Sequence, residues 1–435
     1  MFNDKKDEAI RSTNDDAAQS RFSASSLGYF KDPYANAFVK RAIKRPPVIN
    51  RGTYVRHTIL NKMIRQFYNQ HCNSKEKCNI QVVSFGAGSD TRFFQMKEEG
   101  FEFFKYFEID FPEITIKKAS VILKNKELTA HIGKYKFGNC EIVSEVYNLV
   151  SGDLRDFTHS VAPKLMRLGF SKSIPTIYVS ECVLIYMEPK YSDKILRWVT
   201  SKEDILEQQV IFADSNDYSE ENVEGEVIPQ TELIANQFSD GSSSKAGEVK
   251  SNGDLSMEIA ANVENSGFQN IIYLKGFDII ERATNINAAK DMVSDEITLM
   301  ASNVSKTDYA KDSILSKKCD KNGTVVFFLT FEQILPGDKF GEVMLQNLHS
   351  RNIDIPGIFA YPDLISQQQR YRNFNFEMSH SIDMFTLFKD FVSSEEKSRL
   401  DKIEKLDEVE EWDLLSKHYC ISWGSIGCDV RLQIE

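Results

Sequence analysis

Residues 81–92 read QVVSFGAGSDTR, an apolar run of Val82, Val83 and Phe85 that stops at Gly86-Ala87-Gly88, with Asp90 two residues further on. So short and continuous an apolar run predicts a strand in a sheet covered on both faces. Glycine at its end lets the chain turn sharply into a helix and lets a ligand come against bare backbone. Such a turn accommodates a dinucleotide or S-adenosylmethionine. A GxG arises in ordinary turns as well, so its weight depends on the strand ends that follow.

Three follow. Residues 105–112, KYFEIDFP, end an apolar stretch at Asp110, about 20 residues after the glycine turn, where an acid accepts hydrogen bonds from the ribose hydroxyls of an adenosine cofactor. Residues 147–156, YNLVSGDLRD, place Asp153 and Leu154 after a second run, and residues 176–187, TIYVSECVLIYM, place Glu181 within a third. Taken singly, Asp110 and Asp153 also suit caps or turns. Taken together, acids after successive strands of an open sheet converge on the crevice outside its carboxyl edge. Residue 91 is threonine where the dinucleotide fingerprint needs its third glycine, which favours S-adenosylmethionine over NAD.

The chain resembles the leucine carboxyl methyltransferases, the family that methylates the C-terminal leucine of the protein phosphatase 2A catalytic subunit. The resemblance lies in SLGYFKDPYANAFV (26–39), INRGTYVR (49–56), VVSFGAGSDTRFF (82–94), KYFEIDFP, GDLRD, ECVLIYM, GDKFGEVMLQNL (337–348) and KLDEVEEWDLLSKHYC (405–420). It covers about residues 20–205 and 323–425. It implies an α/β fold of the Rossmann-like S-adenosylmethionine-dependent methyltransferase kind, a mixed sheet with helices on both faces. It also implies a cofactor site of Arg21, Arg56, Gly86, Gly88, Asp110, Asp153, Leu154 and Glu181, with Tyr186 shaping the reaction pocket. Arg21 stands where the family has lysine, a fork in place of a point charge, while a basic residue beside a polar tail is ordinarily solvent-facing. Arg56 matches the arginine that holds the cofactor carboxylate, a task suited to bidentate guanidinium; Arg51 fits a structural role better. The implied partner is the phosphatase tail. Two alternatives remain: the tRNA wybutosine-pathway carboxyl methyltransferases, and a phosphatase-binding protein without turnover.

Composition agrees. A chain of 435 residues, 41% hydrophobic, suffices for one large α/β domain with additions. Its formal charge of -11 gives no general attraction for nucleic acid or anionic membrane. Seven cysteines without short paired spacings, Cys72 and Cys78 included, read as reduced intracellular thiols, and seven scattered histidines without H-E-x-x-H make a metal site unexpected. No apolar run reaches membrane-spanning length. A monomer in the cytoplasm, with the nucleus also open to it, is the expectation.

Residues 1–20 mix charges without an apolar core and are expected as a disordered tail, leaving 21–206 and 322–435 for the methyltransferase domain. Tyr29, Phe30, Tyr34 and Phe38 are expected to pack on the sheet or close its mouth. Apolar spacing predicts helices over 51–70, 91–99, 113–123, 190–206 and 338–351, and a fifth buried strand within 323–333. Before that strand lies an insertion, 207–321, partly disordered. It has linker-like composition at 241–254, a possible strand pair at 266–280 and a helical pattern at 286–300. Residues 361–371 read as an exposed polar helix, 395–418 as an amphipathic helix broken once, and 418–435 as a closing hairpin that gives the sheet an antiparallel edge.

The implied chemistry needs no acid or base. A terminal carboxylate, with a pKa of roughly 3.5, is already an anion at neutral pH. The enzyme has to align oxygen, methyl and sulfur and exclude water. The chain lacks a nucleophile-elbow triad order, which argues against hydrolysis.

Overall fold

Along the central strands alternate side chains enter two separate cores. Val82, Tyr106, Leu149 and Ile177 pack into one, while Val83, Phe107, Val150 and Tyr178 pack into the other. A period of two with both faces apolar requires helices on both sides. A computed structural model describes residues 4–72, 78–201, 269–274, 277–282 and 324–432. Its strands are β1 (Gln81–Phe85), β2 (Lys105–Asp110), β3 (Tyr135–Gly138), β4 (Glu141–Ser144), β5 (Tyr147–Ser151), β6 (Thr176–Glu181), β7 (Gln269–Leu274), β8 (Phe277–Arg282), β9 (Val326–Gln333), β10 (Met378–Asp383) and β11 (Tyr419–Ile426). Nine form one sheet in the order β10-β11-β9-β6-β1-β2-β5-β4-β3, and β7 and β8 pair separately. The central strands β9, β6, β1, β2 and β5 are parallel, and β11 runs antiparallel to β9. This is the mixed Rossmann-like sheet that the resemblance implied.

From β1 the chain moves to β2 and β5 on one side, then returns to β6 on the other, which makes the β1/β6 boundary the point where strand order reverses. Register levels the strand ends there: Phe85 lies opposite both Ile109 and Ser180, and Asp110 opposite Ser151. Gly86, Gly152 and Glu181 therefore leave the sheet at one edge.

Four helices position the site. They are α1 (Asp4–Ser26), α2 (Pro47–His71), α3 (Arg92–Glu98) and α4 (Pro112–Lys124). Proline at the first turn of α2 and α4 supplies a preset φ where no backbone donor is needed. In α2 the buried Ile49, Ile59, Leu60, Met63, Ile64 and Phe67 form the apolar stripe expected from the sequence.

Several expectations need correction. Residues 4–20, expected as a disordered tail, belong to α1. Little apolar surface holds this helix; its charges find distant partners, Asp7 pairing with Arg155 and Asp16 with Arg351 and Arg45. Cys72 and Cys78, expected as reduced thiols, form a disulfide with Cα atoms 5.1 Å apart, because the end of α2 and the approach to β1 come together. The antiparallel edge is present, but β11 pairs with β10 rather than with the chain that follows it. The helix expected as exposed at 361–371 is Leu364–Asn373, and it buries Gln367, Arg370 and Tyr371. Polar composition hid the inward face because Tyr371 hydrogen-bonds Thr330 and Arg370 donates to Ser192. The amphipathic stretch is broken once, into Ser394–Ile403 and Val409–Lys417. The β3–β4 hairpin at the other edge was not anticipated.

The chain divides into one unit of residues 1–203 and 269–435 and another of 204–268, which lies outside the described residues. Within 266–280 two strands are present; the readings at 241–254 and 286–300 lie outside the described residues.

Removing residues 1–20 is expected to lower the thermal unfolding midpoint clearly, because it strips the partners of Arg155, Arg351 and Arg45. Loss of a disordered tail would leave the midpoint unchanged, and differential scanning calorimetry separates the two outcomes.

Candidate functional site

A cleft opens at the β1/β6 boundary and has two adjoining lobes of about 700 and 620 Å³, open mouths included. Gly86 and Asn14 line both. The first lobe is bordered by Arg21, Arg56, Gly86, Gly88, Asp90 and Glu181, the second by Asp110, Asp153, Leu154 and Tyr186. All nine residues singled out in the sequence thus meet in one place. Helix α1 contributes Asp7, Asn14 and Arg21 to the walls.

The glycine turn has a packing reason as well as a functional one. Gly86 and Gly88 have φ of 57° and 52°, in the left-handed region. A Cβ on Gly86 would lie 2.4 Å from Val183 Cγ2, so bare backbone is needed where the turn after β1 meets the chain beyond β6. The Gly88 N–H donates to Asp110 Oδ2 at 2.7 Å, and the Phe111 N–H donates to Oδ1 at 2.8 Å. These bonds orient the carboxylate into the second lobe. Asp153 caps a short 3₁₀ turn by accepting from the Arg155 N–H, and its carboxylate also holds the Arg155 guanidinium, whose other donors grip Asp7 of α1 at 2.8 Å. The cap reading of Asp153 is thus real. The residue also anchors α1 beside the lobe.

At the wall of the first lobe and behind it, three guanidiniums meet three carboxylates. Glu181 accepts from Arg56 Nε at 2.5 Å and from Arg92 Nη2 at 2.8 Å. Arg92 also donates to Asp90 at 2.7 Å, and Arg21 lies 3.1 Å from Asp90 and 3.6 Å from Asp32. Burial alone would raise the Glu181 carboxyl, but Arg56 and Arg92 outweigh it and hold it at about 2. Asp90 is likewise lowered against burial by Arg92, Arg21 and Lys118. Arg21 is therefore not solvent-facing; it is bound into the cluster. Arg51, by contrast, is buried, bonds Asp401 and stacks on Phe388, the structural role expected of it.

Cys182, directly after Glu181, has φ of 53° and is fully buried. That left-handed residue lets the chain turn back at the strand end, so that Glu181 faces the first lobe and Tyr186, in a 3₁₀ turn, faces the second. Thr91 is fully buried and donates to Asp32 at 2.6 Å, taking up space where a dinucleotide fingerprint has glycine. Sequence reasoning missed Asn14, Asp32, His57, Arg92 and the Asp7–Arg155 link. Arg92 stands inside the quoted motif; its burial and its two acidic partners appear only once β6 is folded beside β1.

The sequence model of the leucine carboxyl methyltransferases matches residues 6–200. Residues 6–200 thus carry a leucine carboxyl methyltransferase domain. Beyond the matched region, likeness extends over nearly the whole chain. A leucine carboxyl methyltransferase 1 homolog of Arabidopsis thaliana is 28% identical over 96% of this chain and 89% of its own length. Leucine carboxyl methyltransferase 1 of Bos taurus is 25% identical over 98% and 92%. The tRNA wybutosine-synthesizing protein 4 of Rattus norvegicus is 22% identical over 96% of this chain but only 44% of its own length. A solved S-adenosyl-L-methionine complex of phosphoethanolamine N-methyltransferase 2 from Haemonchus contortus, with 9% identity and a TM-score of 0.33 over 84% of this chain and 51% of its own, is too distant to bear on the site. Members of the family use S-adenosylmethionine to methylate carboxylates, and this chain is an S-adenosylmethionine-dependent carboxyl methyltransferase.

The donor set fits the cofactor. Its methionine end carries both a carboxylate and an ammonium, and a cluster of three cations and three anions can match a zwitterion without a net excess of either charge. Buried Asn14 Oδ1 and Ser20 Oγ, both on cleft-lining residues of α1, have no hydrogen-bond partner among the described residues.

The Glu181 carboxyl titrates below its ordinary value of 4.5, so its ion pairs contribute fully above that pH and weaken as pH falls towards about 2. Glu181→Gln is expected to lower the unfolding midpoint at neutral pH, and the gap from the unmodified protein should narrow between about pH 5 and about pH 3. Thermal melts across that window test this; a gap independent of pH would overturn the assignment.

Proposed function

We propose that this methyltransferase esterifies the α-carboxylate of the C-terminal leucine of the protein phosphatase 2A catalytic subunit. The supporting observation is the set GTYVR, FGAGSDTR, FEIDFP and ECVLIYM, gathered around one crevice in a chain that also carries GDKFG and matches leucine carboxyl methyltransferase 1 proteins over nearly its full length. The chain acts as a monomer in the cytoplasm or nucleus, and the phosphatase tail is its substrate.

S-adenosylmethionine, when bound, supplies a methyl group activated by the adjacent sulfonium. Asp110, oriented by the Gly88 N–H, accepts from the ribose hydroxyls in the second lobe, with the turn at Asp153 and Leu154 beside the adenosine. Arg56, held by Glu181, and Arg21, held by Asp90, receive the carboxylate of the methionine end in the first. Gly86 presents bare backbone where the lobes join. Tyr186 and Met187 wall the second lobe and shape the space for the incoming substrate. The substrate oxygen is already anionic, so no side chain removes a proton. These residues orient the reactants and keep water out.

The wybutosine-pathway reading is favoured only by the likeness to the rat protein, of which this chain spans less than half, and the charge of -11 gives no help towards RNA.

Calorimetric titration is expected to show stoichiometric binding of S-adenosylmethionine and negligible binding of NAD. Asp110→Ala should weaken cofactor binding about tenfold or more, the scale of one lost charge-assisted hydrogen bond. An unchanged affinity in the folded variant would rule out the ribose role. For the substrate, radiolabelled cofactor is incubated with intact phosphatase, phosphatase lacking its terminal leucine, or precursor tRNA. Base-labile label in the intact phosphatase alone is the expected result. Label in tRNA would select the wybutosine reading, and phosphatase binding without label would indicate a binding protein.

A further inference from the structure

Among the described buried groups that the proposed mechanism leaves unused is His57, whose protonation state the fold dictates. It follows Arg56 on α2, lines the first lobe, and stacks face to face on Phe30 with ring centroids 4.0 Å apart. Only 8% of the residue is exposed. Its Nε2 lies 3.0 Å from Asn61 Nδ2. Which atom donates is settled one residue further out. Arg92 Nε, which can only donate, lies 2.6 Å from Asn61 Oδ1, so the carboxamide must turn its oxygen to Arg92 and its NH₂ to His57. Nε2 is then the acceptor, and the single proton of the neutral ring sits on Nδ1. Nδ1 is buried and has no partner among the described residues, whereas His71 and His418, also on or beside helices, place theirs against the carbonyls of Phe67 and Leu414.

An N–H donor held in a buried ring beside two guanidiniums calls for an acceptor from outside the chain. We propose that His57 Nδ1–H is a further cofactor-binding group, donating to the α-carboxylate of the methionine end of S-adenosylmethionine. This rests on the reading of the cleft as the cofactor site, and it adds a contact that the family-matching residues do not include. The ring stays neutral, because burial and the charges of Arg21 and Arg92 oppose its protonation, with Asp90 and Glu181 acting in the other direction. It therefore supplies a directional hydrogen bond without adding a fourth positive charge to a balanced cluster. Towards His57, Arg92 acts through Asn61, as a positioning residue for the tautomer.

The test uses two ligands and one spectrum. Nitrogen-15 correlation spectroscopy of the full chain is expected to show His57 as the Nδ1–H tautomer, with no titration between about pH 5.5 and about pH 8. The Nε2–H tautomer, or protonation in that range, would overturn the proposal. Calorimetry then compares S-adenosylmethionine with decarboxylated S-adenosylmethionine, which lacks the proposed acceptor. His57→Phe, which keeps an aromatic ring against Phe30, should weaken the first by roughly 10-fold or more and leave the second within about twofold. Equal losses for both ligands would make His57 a packing residue and overturn the assignment. His57→Gln, which restores a donor, should recover part of the lost affinity; if Phe fails to fold, the same two-ligand comparison on Gln against the unmodified chain decides. Binding of neither ligand by the unmodified chain would defeat the cofactor reading itself, a result distinct from failure at His57.

Discussion

Two oxygens of Glu181 hold the site together. One takes Arg56 from α2, the other Arg92 from the start of α3, and Arg92 carries the chain of charges on to Asp90 in the glycine turn and thence to Arg21 in α1. Helices from three parts of the sequence are thereby fixed to the ends of β1 and β6. Buried ion pairs of this kind add little net stability against an apolar replacement, yet breaking one partner leaves a stranded charge at a cost of about 3–5 kcal/mol. What the network contributes is position: guanidiniums that would otherwise wander are held around one lobe of a cleft.

That arrangement also explains how positive groups can serve an anionic ligand without overwhelming it. Each arginine is already matched by a carboxylate, so the lobe offers donors in fixed directions with little net charge. Methyl transfer to a carboxylate calls for such restraint, because a strong cation close to the attacking oxygen would stabilise the ground state more than the transition state. The second lobe is simpler. One carboxylate, Asp110, is aimed by two backbone N–H groups, and the neighbouring Asp153 is occupied by Arg155.

Helix α1 changes the picture of the chain most. Its composition is that of a solvated segment, and nothing in its own periodicity marks a packed face. It is ordered by partners more than 100 residues away, Arg155 and Arg351, and by the ion pair of Lys6 with Asp354. Having been placed, it closes one side of both lobes and brings Asn14, Ser20 and Arg21 to them. A cleft with such a wall excludes water better than the bare end of a sheet, which is the condition that charge-based positioning requires.

The sequence by itself determined the strand ends and their residue types. Val82 to Phe85 running into Gly86, and the acids at 110, 153 and 181 after later apolar runs, required an open sheet with a ligand edge, because strand burial and turn stereochemistry are local properties. The motifs beside them also carried the family. Tertiary structure alone decided which of those residues are free to meet a ligand and which are held by the protein. Asp153 became a cap and an anchor for Arg155, Glu181 a clamp on two arginines, and Cys72 and Cys78 a disulfide, each through a partner brought close by the fold. The tautomer of His57 is the furthest case: it follows from Arg92 through Asn61, three residues from two helices whose relation exists only when α2 and α3 pack on the same face of the sheet. Hydrogen-bond direction depends on who the neighbour is, and a neighbour distant in sequence is invisible until the chain has folded.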